Sequence, residues 1–149
     1  MNDVTAPFAA HAADDPSDAL RPQDAELLRA AVAARAHARA PYSRFLVGSA
    51  VRGASGAVYG GCNVESASYP LTCCAERVAL YKALSEGESA FTAVAVLTSA
   101  FASPCGGCRQ VLFEYGPDAE VLVADTDGRW RRTTTRALLP YGFDGKALL

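Results

Sequence analysis

The sequence predicts a single α/β domain in which a five-stranded mixed sheet carries helices on both faces. Its 149 residues, about half of them apolar, are enough for one hydrophobic core and too few for two. Segments with helical and strand periodicity follow in the order helix, hairpin, helix, strand, helix, strand, strand, which is typical of this architecture. No repeat or linker divides residues 21–149, so we expect one domain there.

Residues 1–20 predict a flexible N-terminal tail, because alanine, aspartate and proline offer little surface to bury. A helix follows this tail. Pro22 can occupy the first helical turn, where a missing N–H costs nothing, and apolar residues then recur with helical spacing. This spacing extends the predicted helix to about Arg39, before Pro41 ends it.

Strand and helix signals alternate through the rest of the chain, and turn residues separate them. Gly87 is placed to end one helix. Ser103 is expected to cap the next helix with Pro104 at its first position, and Thr135 to cap a short final helix that Pro140 ends. The predicted elements are strands 45–51 and 58–64, loop 66–71, helix 73–84, strand 93–98, helix 104–115, strands 121–124 and 129–134, and a helix from 135.

Charge and hydropathy argue against two classes of partner. A formal net charge of −2 and a pI near 5.6 disfavour nucleic-acid binding, which depends on basic surfaces. No apolar run approaches the roughly 18 residues of a membrane span. Because the first twenty residues lack the apolar core of a signal peptide and are too acidic for a transit peptide, a cytoplasmic location is expected.

Five cysteines suggest metal or redox chemistry. They stand at positions 62, 73, 74, 105 and 108, an odd number with two adjacent and two in a C-x-x-C pattern. A thioredoxin-like redox pair is one interpretation of the C-x-x-C, but such a pair needs no third cysteine followed by glutamate. Cys62 and Cys73 are predicted to be free structural thiols, although spacing alone leaves Cys73 as an alternative ligand to Cys74.

Cys74, Cys105 and Cys108 predict a tetrahedral zinc site with its fourth position left to water. Both cysteine motifs fall at predicted helix N-termini, where the partial positive charge favours thiolates. If the two helices pack side by side, the three sulfurs converge. The pattern C-x-E followed by P-C-x-x-C matches the signature of zinc deaminases acting on cytosine or adenine rings, with cysteine replacing the histidine.

Glu76 is the predicted catalytic proton carrier. A carboxylate beside zinc can accept a proton from water and deliver it to a ring nitrogen, and later to the departing amine. Three thiolates on a dication leave a net charge of −1, which makes the metal a poorer Lewis acid. A nearby cation would restore some of its ability to acidify bound water, and Arg77 is the candidate. The alternatives are an ordinary first-turn glutamate and a solvated helix arginine.

Five motifs follow one another over about residues 40–145. They are residues 45–50, 61–65, 74–77 and 103–111, and residues 138–140 followed by Phe143. In this order they resemble the small homotetrameric class of cytidine deaminases. The resemblance implies the three-layer cytidine-deaminase-like fold, a homotetramer, zinc (Zn²⁺) on the three cysteines, and hydrolysis at C4 of cytidine and 2′-deoxycytidine. Ser49 and Ser66 depart from the usual alanine and asparagine, which bears on selectivity rather than on the chemistry.

The resemblance also implies substrate contacts. Asn63 and Glu65 would bind the ribose 3′-hydroxyl and exclude a 3′-phosphate. Two residues apart on a strand, they share a face, and an amide with a carboxylate satisfies a hydroxyl as donor and acceptor. The other implied contacts are Phe45 lining the pyrimidine pocket, the Ala75 N–H donating to the base carbonyl, Phe143 stacking on the base across a subunit boundary, and Tyr69 reaching a neighbouring site.

Two alternatives share the metal ligands. A deaminase of another aminated heterocycle, such as a blasticidin-type antibiotic, has the same zinc motifs, and Asn63 with Glu65 argues for a nucleoside instead. A structural zinc module would require a fourth protein ligand. The spare donors for it are Cys62, Cys73, His11 and His37, none at a convincing spacing.

A polynucleotide-editing deaminase is the remaining alternative. Arg129, Arg131 and Arg132 with Trp130 could form a nucleic-acid-binding stripe. Strand alternation, however, places Arg129 and Arg131 opposite Trp130 and Arg132. We therefore predict a solvated strand face there.

Overall fold

Helices and strands alternate in the computed structural model, which describes residues 18–148. The tail predicted over residues 1–20 lies outside the described residues except for 18–20. None of the described helices is long and apolar enough to cross a membrane. The elements are α1 (Pro22–Arg35), β1 (Gly48–Gly53), β2 (Val58–Cys62), a 3₁₀ turn (Tyr69–Leu71), α2 (Ala75–Ser85), β3 (Phe91–Thr98), α3 (Gly106–Tyr115), β4 (Glu120–Asp125), β5 (Trp130–Thr134), α4 (Thr135–Leu138) and a second 3₁₀ turn (Gly145–Leu148).

The five strands form one sheet in the order β2-β1-β3-β4-β5. Strands β3 and β4 run parallel, and every other neighbouring pair is antiparallel. Helix α3 provides the crossover that a parallel pair requires. The predicted five-stranded mixed sheet is confirmed.

Two apolar cores lie on opposite faces of the sheet, since successive strand side chains point to opposite sides. Ala95 and Leu97 of β3 pack with Leu28 of α1. Val94 and Val96 belong to the other core, which includes residues of α2 and α3. The prediction of helices on both faces is therefore confirmed.

Helix α1 ends at Arg35 instead of continuing to about Arg39. The backbone N–H of Arg39 donates to the carbonyl of Asn63 at 2.9 Å, and its carbonyl accepts from the N–H of Glu65 at 2.8 Å. Strand-like pairing with a distant segment thus overrides the helical periodicity.

Helix α3 begins at Gly106, with Cys105 as the preceding residue, so the predicted capping role of Ser103 is wrong. Ser103 and Pro104 lie in the loop before this helix. The Ser103 hydroxyl instead accepts a hydrogen bond from Arg131 at 2.8 Å. The hydroxyl that would normally cap a helix thus binds a side chain that is distant in sequence.

Among the other boundaries that differ from the prediction, one concerns a helix cap and one the start of a strand. Helix α4 is capped by Thr134, whose side chain accepts from the N–H of Ala137, rather than by Thr135. Strand β1 begins at Gly48, and residues 45–47 precede it in an irregular segment. Neither difference changes the order of the elements.

The predicted solvated face of β5 is wrong for Trp130, which is 2% exposed and belongs to the core under α1. Arg132 lies over the Trp130 ring at 5.5 Å. Arg129 and Arg131 contact Phe101, a residue packed against the other core. The alternation along β5 is as predicted, but both faces are used by the fold.

An ion cluster joins the start of α1 to β5. Asp24 is 2% exposed and accepts hydrogen bonds from Arg21 at 2.8 Å and from Arg132 at 2.9 Å. Burial alone would raise the pKa of Asp24, but these hydrogen bonds outweigh it and lower the pKa from 3.8 to about 2. Because the folded-state pKa is lowered, this stabilisation is present above about pH 4 and is lost as the pH falls through about 2.

We expect Asp24→Asn to reduce the free energy of unfolding by about 2 kcal/mol at pH 7, the equivalent of its pKa shift. The difference from wild type should shrink as the pH falls from about 4 towards 2, where wild-type Asp24 also becomes neutral. Urea unfolding followed by circular dichroism measures both values. Asp118→Asn removes an exposed ion pair with Arg136 and should matter far less. A pH-independent deficit in Asp24→Asn would contradict this account.

Candidate metal centre and substrate pocket

Two helix starts bring three cysteines together. Cys74 immediately precedes α2 and Cys105 immediately precedes α3, each in an extended conformation, with φ of −69° and −66°. Cys108 lies in the first turn of α3. Helices α2 and α3 contribute to the same core on one face of the sheet, and the cysteines at their starts lie close together.

The sulfur atoms of Cys74, Cys105 and Cys108 lie within 4.8 Å of one another. Those of Cys74 and Cys105 are 3.9 Å apart. This is close to the spacing of about 3.8 Å that a tetrahedral zinc with Zn–S bonds of about 2.3 Å imposes. Among the described residues, no fourth cysteine, histidine or carboxylate joins the group. The donor set therefore fits a zinc ion with one position open.

Charge is unevenly distributed over this sulfur cluster. The pKa of Cys74 is lowered to about 5, chiefly by a hydrogen bond from the Cys108 thiol; burial opposes the shift and Arg77 reinforces it. The pKa of Cys108 is raised by its hydrogen bond to Cys74 and by burial. A dication favours thiolate at all three positions, because thiols bind metal in the deprotonated form.

Arg77 lies against the sulfur cluster. Its Nη2 group donates to the Cys74 sulfur at 3.3 Å and to the Thr72 carbonyl at 3.5 Å. The hydrogen bond to Cys74 raises the pKa of the guanidinium above its ordinary value. Its Nε group is buried with no hydrogen-bond partner in the described part of the chain. The structure thus places this cation in contact with the Cys74 sulfur.

Glu76 is the second residue of α2 and is 4% exposed. It lines the same cavity as Cys74 and Cys105. Burial raises the pKa of Glu76 to about 7, and the negative charge on Cys74 adds to this effect. A carboxyl group that titrates near neutrality can both accept and return a proton.

A cavity of about 240 Å³ opens beside the sulfur cluster. Parts of the chain that are distant in sequence line it: the segment after α1, the segment after β2, the end of β3 and the two helix starts. The predicted substrate-binding residues that line this cavity are Phe45, Asn63, Glu65 and Ala75. The fold therefore brings most of the predicted site residues to one place.

Asn63 also holds the wall of the cavity. Its Nδ2 donates to the Phe45 carbonyl at 2.8 Å, and its Oδ1 accepts from the Val47 N–H at 2.9 Å. One amide hydrogen and one oxygen lone pair remain for a ligand. The side chain thus fixes residues 45–47 at the cavity as well as facing it.

Glu65 accepts hydrogen bonds from the backbone N–H groups of Tyr42 and Ser43, at 2.9 and 3.2 Å, and from the Ser43 hydroxyl. The Ser43 hydroxyl is the main cause of its lowered pKa, so Glu65 stays ionised. Strand β2 ends at Cys62, before either Asn63 or Glu65. Both nonetheless reach the same cavity, as their spacing in an extended segment predicts.

Tyr69 and Phe143 lie outside the cavity. Tyr69 is 72% exposed, and its ring centroid is 6.0 Å from that of Tyr42. Phe143 is 54% exposed, and its carbonyl accepts from Gln110 at 2.8 Å. Neither lines the cavity beside the sulfur cluster; Tyr69 lines an adjacent hollow with Ser43 and Glu65, two residues that also line that cavity.

The sequence interpretation missed several residues that line the cavity. They are Ser43, Val47, Val96, Thr98, Ala102 and Ser103. Val96 and Thr98 could have been found, because they lie at the carboxyl end of the central strand β3. This end of a strand in an α/β sheet is a common place for a ligand. The others reach the cavity through tertiary contacts that no local pattern indicates.

Comparisons with known proteins point to one family. Residues 21–124 match the model described as the cytidine and deoxycytidylate deaminase zinc-binding region. A cytidine deaminase of Halalkalibacterium halodurans is 46% identical over 120 residues, covering 78% of this chain and 91% of that protein. A cytidine deaminase of Sporosarcina psychrophila is 42% identical over 118 residues, covering 77% and 87%. The crystal structure of cytidine deaminase from Burkholderia pseudomallei has a TM-score of 0.77 and 47% identity, covering 79% and 97%.

Proposed function

The chain belongs to the cytidine and deoxycytidylate deaminase family, and we propose that its pocket hydrolyses cytidine and 2′-deoxycytidine to uridine and 2′-deoxyuridine. The reaction consumes water, releases ammonia and serves pyrimidine salvage. The observation that carries this proposal is the position of buried Glu76, which shares one cavity with Cys74 and Cys105 of the sulfur cluster.

Cys74, Cys105 and Cys108 hold zinc in this proposal. When bound, zinc makes a water molecule nucleophilic near neutral pH. Arg77 offsets part of the negative charge of the thiolates, since its guanidinium lies 3.3 Å from the Cys74 sulfur. Glu76 takes a proton from the attacking water and passes it to N3 of the ring as the water oxygen bonds to C4. It then takes the proton of the new C4 hydroxyl and delivers it to the amino group, so that ammonia leaves as the C4–N bond breaks and the C4 carbonyl forms. Burial of Glu76 keeps these transfers away from bulk water.

The other cavity residues bind the nucleoside. Phe45 lines the pyrimidine end, and the backbone N–H of Ala75 at the start of α2 donates to the base carbonyl. Asn63 uses its remaining donor and acceptor on the ribose 3′-hydroxyl, together with the ionised Glu65. A carboxylate at this position repels a 3′-phosphate and makes no demand on the 2′ position.

We assign the protein to a cytoplasmic homotetramer in which Tyr69 and Phe143 complete the sites of neighbouring subunits. Their exposed rings support this assignment, since neither serves the cavity of its own chain. Thiolate ligands favour a reducing compartment. The acidic chain is suited to a small nucleoside rather than to nucleic acid.

The alternatives are less well supported. A structural zinc module needs a fourth protein ligand, and none joins the sulfur cluster within residues 18–148. A redox pair gives no role to Cys74 or to buried Glu76. A deaminase of an aminopyrimidine antibiotic is the alternative function most similar to the proposed one, because it would use the same metal ligands.

We expect the purified protein to contain about one zinc per chain and to decrease the ultraviolet absorbance of cytidine and 2′-deoxycytidine. Cytosine should react far more slowly, because it lacks the sugar that Asn63 and Glu65 bind, and cytidine 3′-phosphate should not react. Tightly bound zinc without loss of cytidine absorbance would favour the structural module. Faster turnover of blasticidin S than of cytidine would favour the antibiotic deaminase.

A further inference from the structure

The loop of residues 99–104 joins β3 to the metal ligand Cys105 and holds a backbone conformation that L-residues rarely adopt. Phe101 in this loop has φ of +54°. Such a conformation persists only where surrounding contacts fix it. Part of the fixation is local, since the Thr98 hydroxyl accepts from the N–H groups of Ala100 and Ala102 at 3.3 and 3.0 Å.

Two arginines from the β4–β5 hairpin, together with the core against which Phe101 packs, also hold this loop. The guanidinium carbons of Arg129 and Arg131 lie 5.2 and 5.1 Å from the centroid of the Phe101 ring. Arg129 is anchored by the fully buried Asp125, with a contact of 2.6 Å. Arg131 reaches further along the loop and donates to the Ser103 hydroxyl at 2.8 Å. We call Phe101, Ser103, Arg129 and Arg131 the loop clamp.

The clamp acts on residues that form the cavity. Ala102 and Ser103 line it, and Cys105 follows directly after Pro104. Arg131 is not among the residues that line it. The contacts that Arg131 makes with Phe101 and Ser103 therefore act on the cavity through the loop.

We propose that Arg131 is a positioning residue for deamination, which sets the Ala102–Ser103 wall against the bound nucleoside by holding Phe101 and Ser103. This inference rests on the proposed function. Arg132, the neighbour of Arg131 on β5, does not contact this loop in the described structure. Its guanidinium packs on Trp130 on the opposite face of the sheet. The expected consequence is a change in substrate binding rather than in metal binding, because Arg131 contacts no cysteine of the sulfur cluster in the described structure.

The test compares Arg131→Gln with Arg136→Gln in the full-length, zinc-loaded protein. Arg136 is a matched control, because it also lies over an aromatic ring, Phe113 at 5.7 Å, and also has a polar partner, Asp118. Neither Arg131 nor Arg136 lines the cavity. We expect Arg131→Gln to raise KM for cytidine about tenfold, the effect of losing one cation–π contact and one hydrogen bond, with a smaller change in kcat. Arg136→Gln should leave KM unchanged.

Four further readouts separate positioning from general stability. Zinc content should be the same in both variants, and amide hydrogen exchange in residues 99–104 should increase only in Arg131→Gln. Arg131→Lys keeps a cation over the ring and should restore most of kcat/KM. Phe101→Leu should raise KM in the same direction, and its effect should be non-additive with Arg131→Gln, because both variants break one clamp.

An unchanged KM in folded Arg131→Gln, equal KM changes in the two glutamine variants, or additive effects with Phe101→Leu would overturn the inference. If Arg131→Gln does not fold, an unchanged KM in Phe101→Leu overturns it as well. If the wild-type protein turns over cytidine and these variants show no change in KM, the positioning role of the loop clamp is refuted and the proposed function stands. A zinc-loaded wild type without deaminase activity refutes the proposed function and the clamp together.

Discussion

Replacing Glu76 with glutamine is expected to lower kcat for cytidine by about a thousandfold while zinc remains bound. Glutamine keeps the shape of the side chain but cannot accept a proton, and positioned acid–base groups contribute about 10²–10⁴ in rate. The loss should appear in kcat more than in KM, because proton transfer belongs to the transition state and not to substrate binding. Ultraviolet assays of cytidine with zinc quantified in the same samples measure both quantities.

Glu86→Gln is the matched control for this change. It makes the same substitution at the other end of α2, at the residue that follows the helix, away from the cavity. Its activity should equal that of wild type. Equal turnover in Glu76→Gln and wild type would rule out Glu76 as the proton carrier, whereas loss of zinc from Glu76→Gln would show that the carboxylate supports the metal site instead.

The sulfur cluster could be anticipated from the sequence because each of its parts is a local signal. Cys74 and Cys105 each stand immediately before a helix, and Cys108 lies in the first turn of the second helix. The only non-local requirement is that the two helices pack on the same face of the sheet. The order of elements meets this requirement: α2 connects the parallel strands β2 and β3, and α3 connects the parallel strands β3 and β4, in the same direction across the sheet. Right-handed crossovers in the same direction lie on the same face.

The parts that sequence could not predict depend on contacts between distant residues. Arg39 leaves the helical pattern because its backbone pairs with residues 63–65. Ser103 does not cap a helix because Arg131, far along the chain, binds its hydroxyl. Trp130 was expected on a solvated strand face, but it is buried in the core that lies under α1. Local propensity is a weak prior wherever such partners compete.

The candidate pocket shows the same division. The spacing of Asn63 and Glu65 predicted that they share a face. It did not predict the hydrogen bonds that hold their side chains. Asn63 uses half of its hydrogen-bonding capacity to fix the backbone of residues 45–47. Glu65 is oriented by backbone N–H groups of a segment that precedes it by more than twenty residues. These contacts preorganise the pocket before a ligand enters.

Replacing Cys74 with serine is expected to weaken zinc binding by at least about a hundredfold and to reduce activity in proportion, given that even outer-shell changes cost about 10–100-fold. A serine hydroxyl is a harder donor than thiolate and does not ionise near neutral pH. Arg77 would also lose the thiolate to which it donates. Zinc measured by atomic absorption after dialysis against a weak chelator, together with cytidine turnover, gives both effects.

Cys73→Ser is the matched control, because it makes the same change one residue earlier and the sequence alone left both cysteines as candidate ligands. Cys73 pairs through its backbone with Val64, its N–H donating and its carbonyl accepting at 2.9 Å each. This pairing holds Cys73 in an extended bridge beside residues 63–65, and its sulfur does not join the cluster found in the described structure. Cys73→Ser should therefore retain zinc and most activity. Zinc loss only in Cys73→Ser would show that Cys73, and not Cys74, is the metal ligand. Equal loss in the two variants would contradict a site formed by Cys74, Cys105 and Cys108 alone.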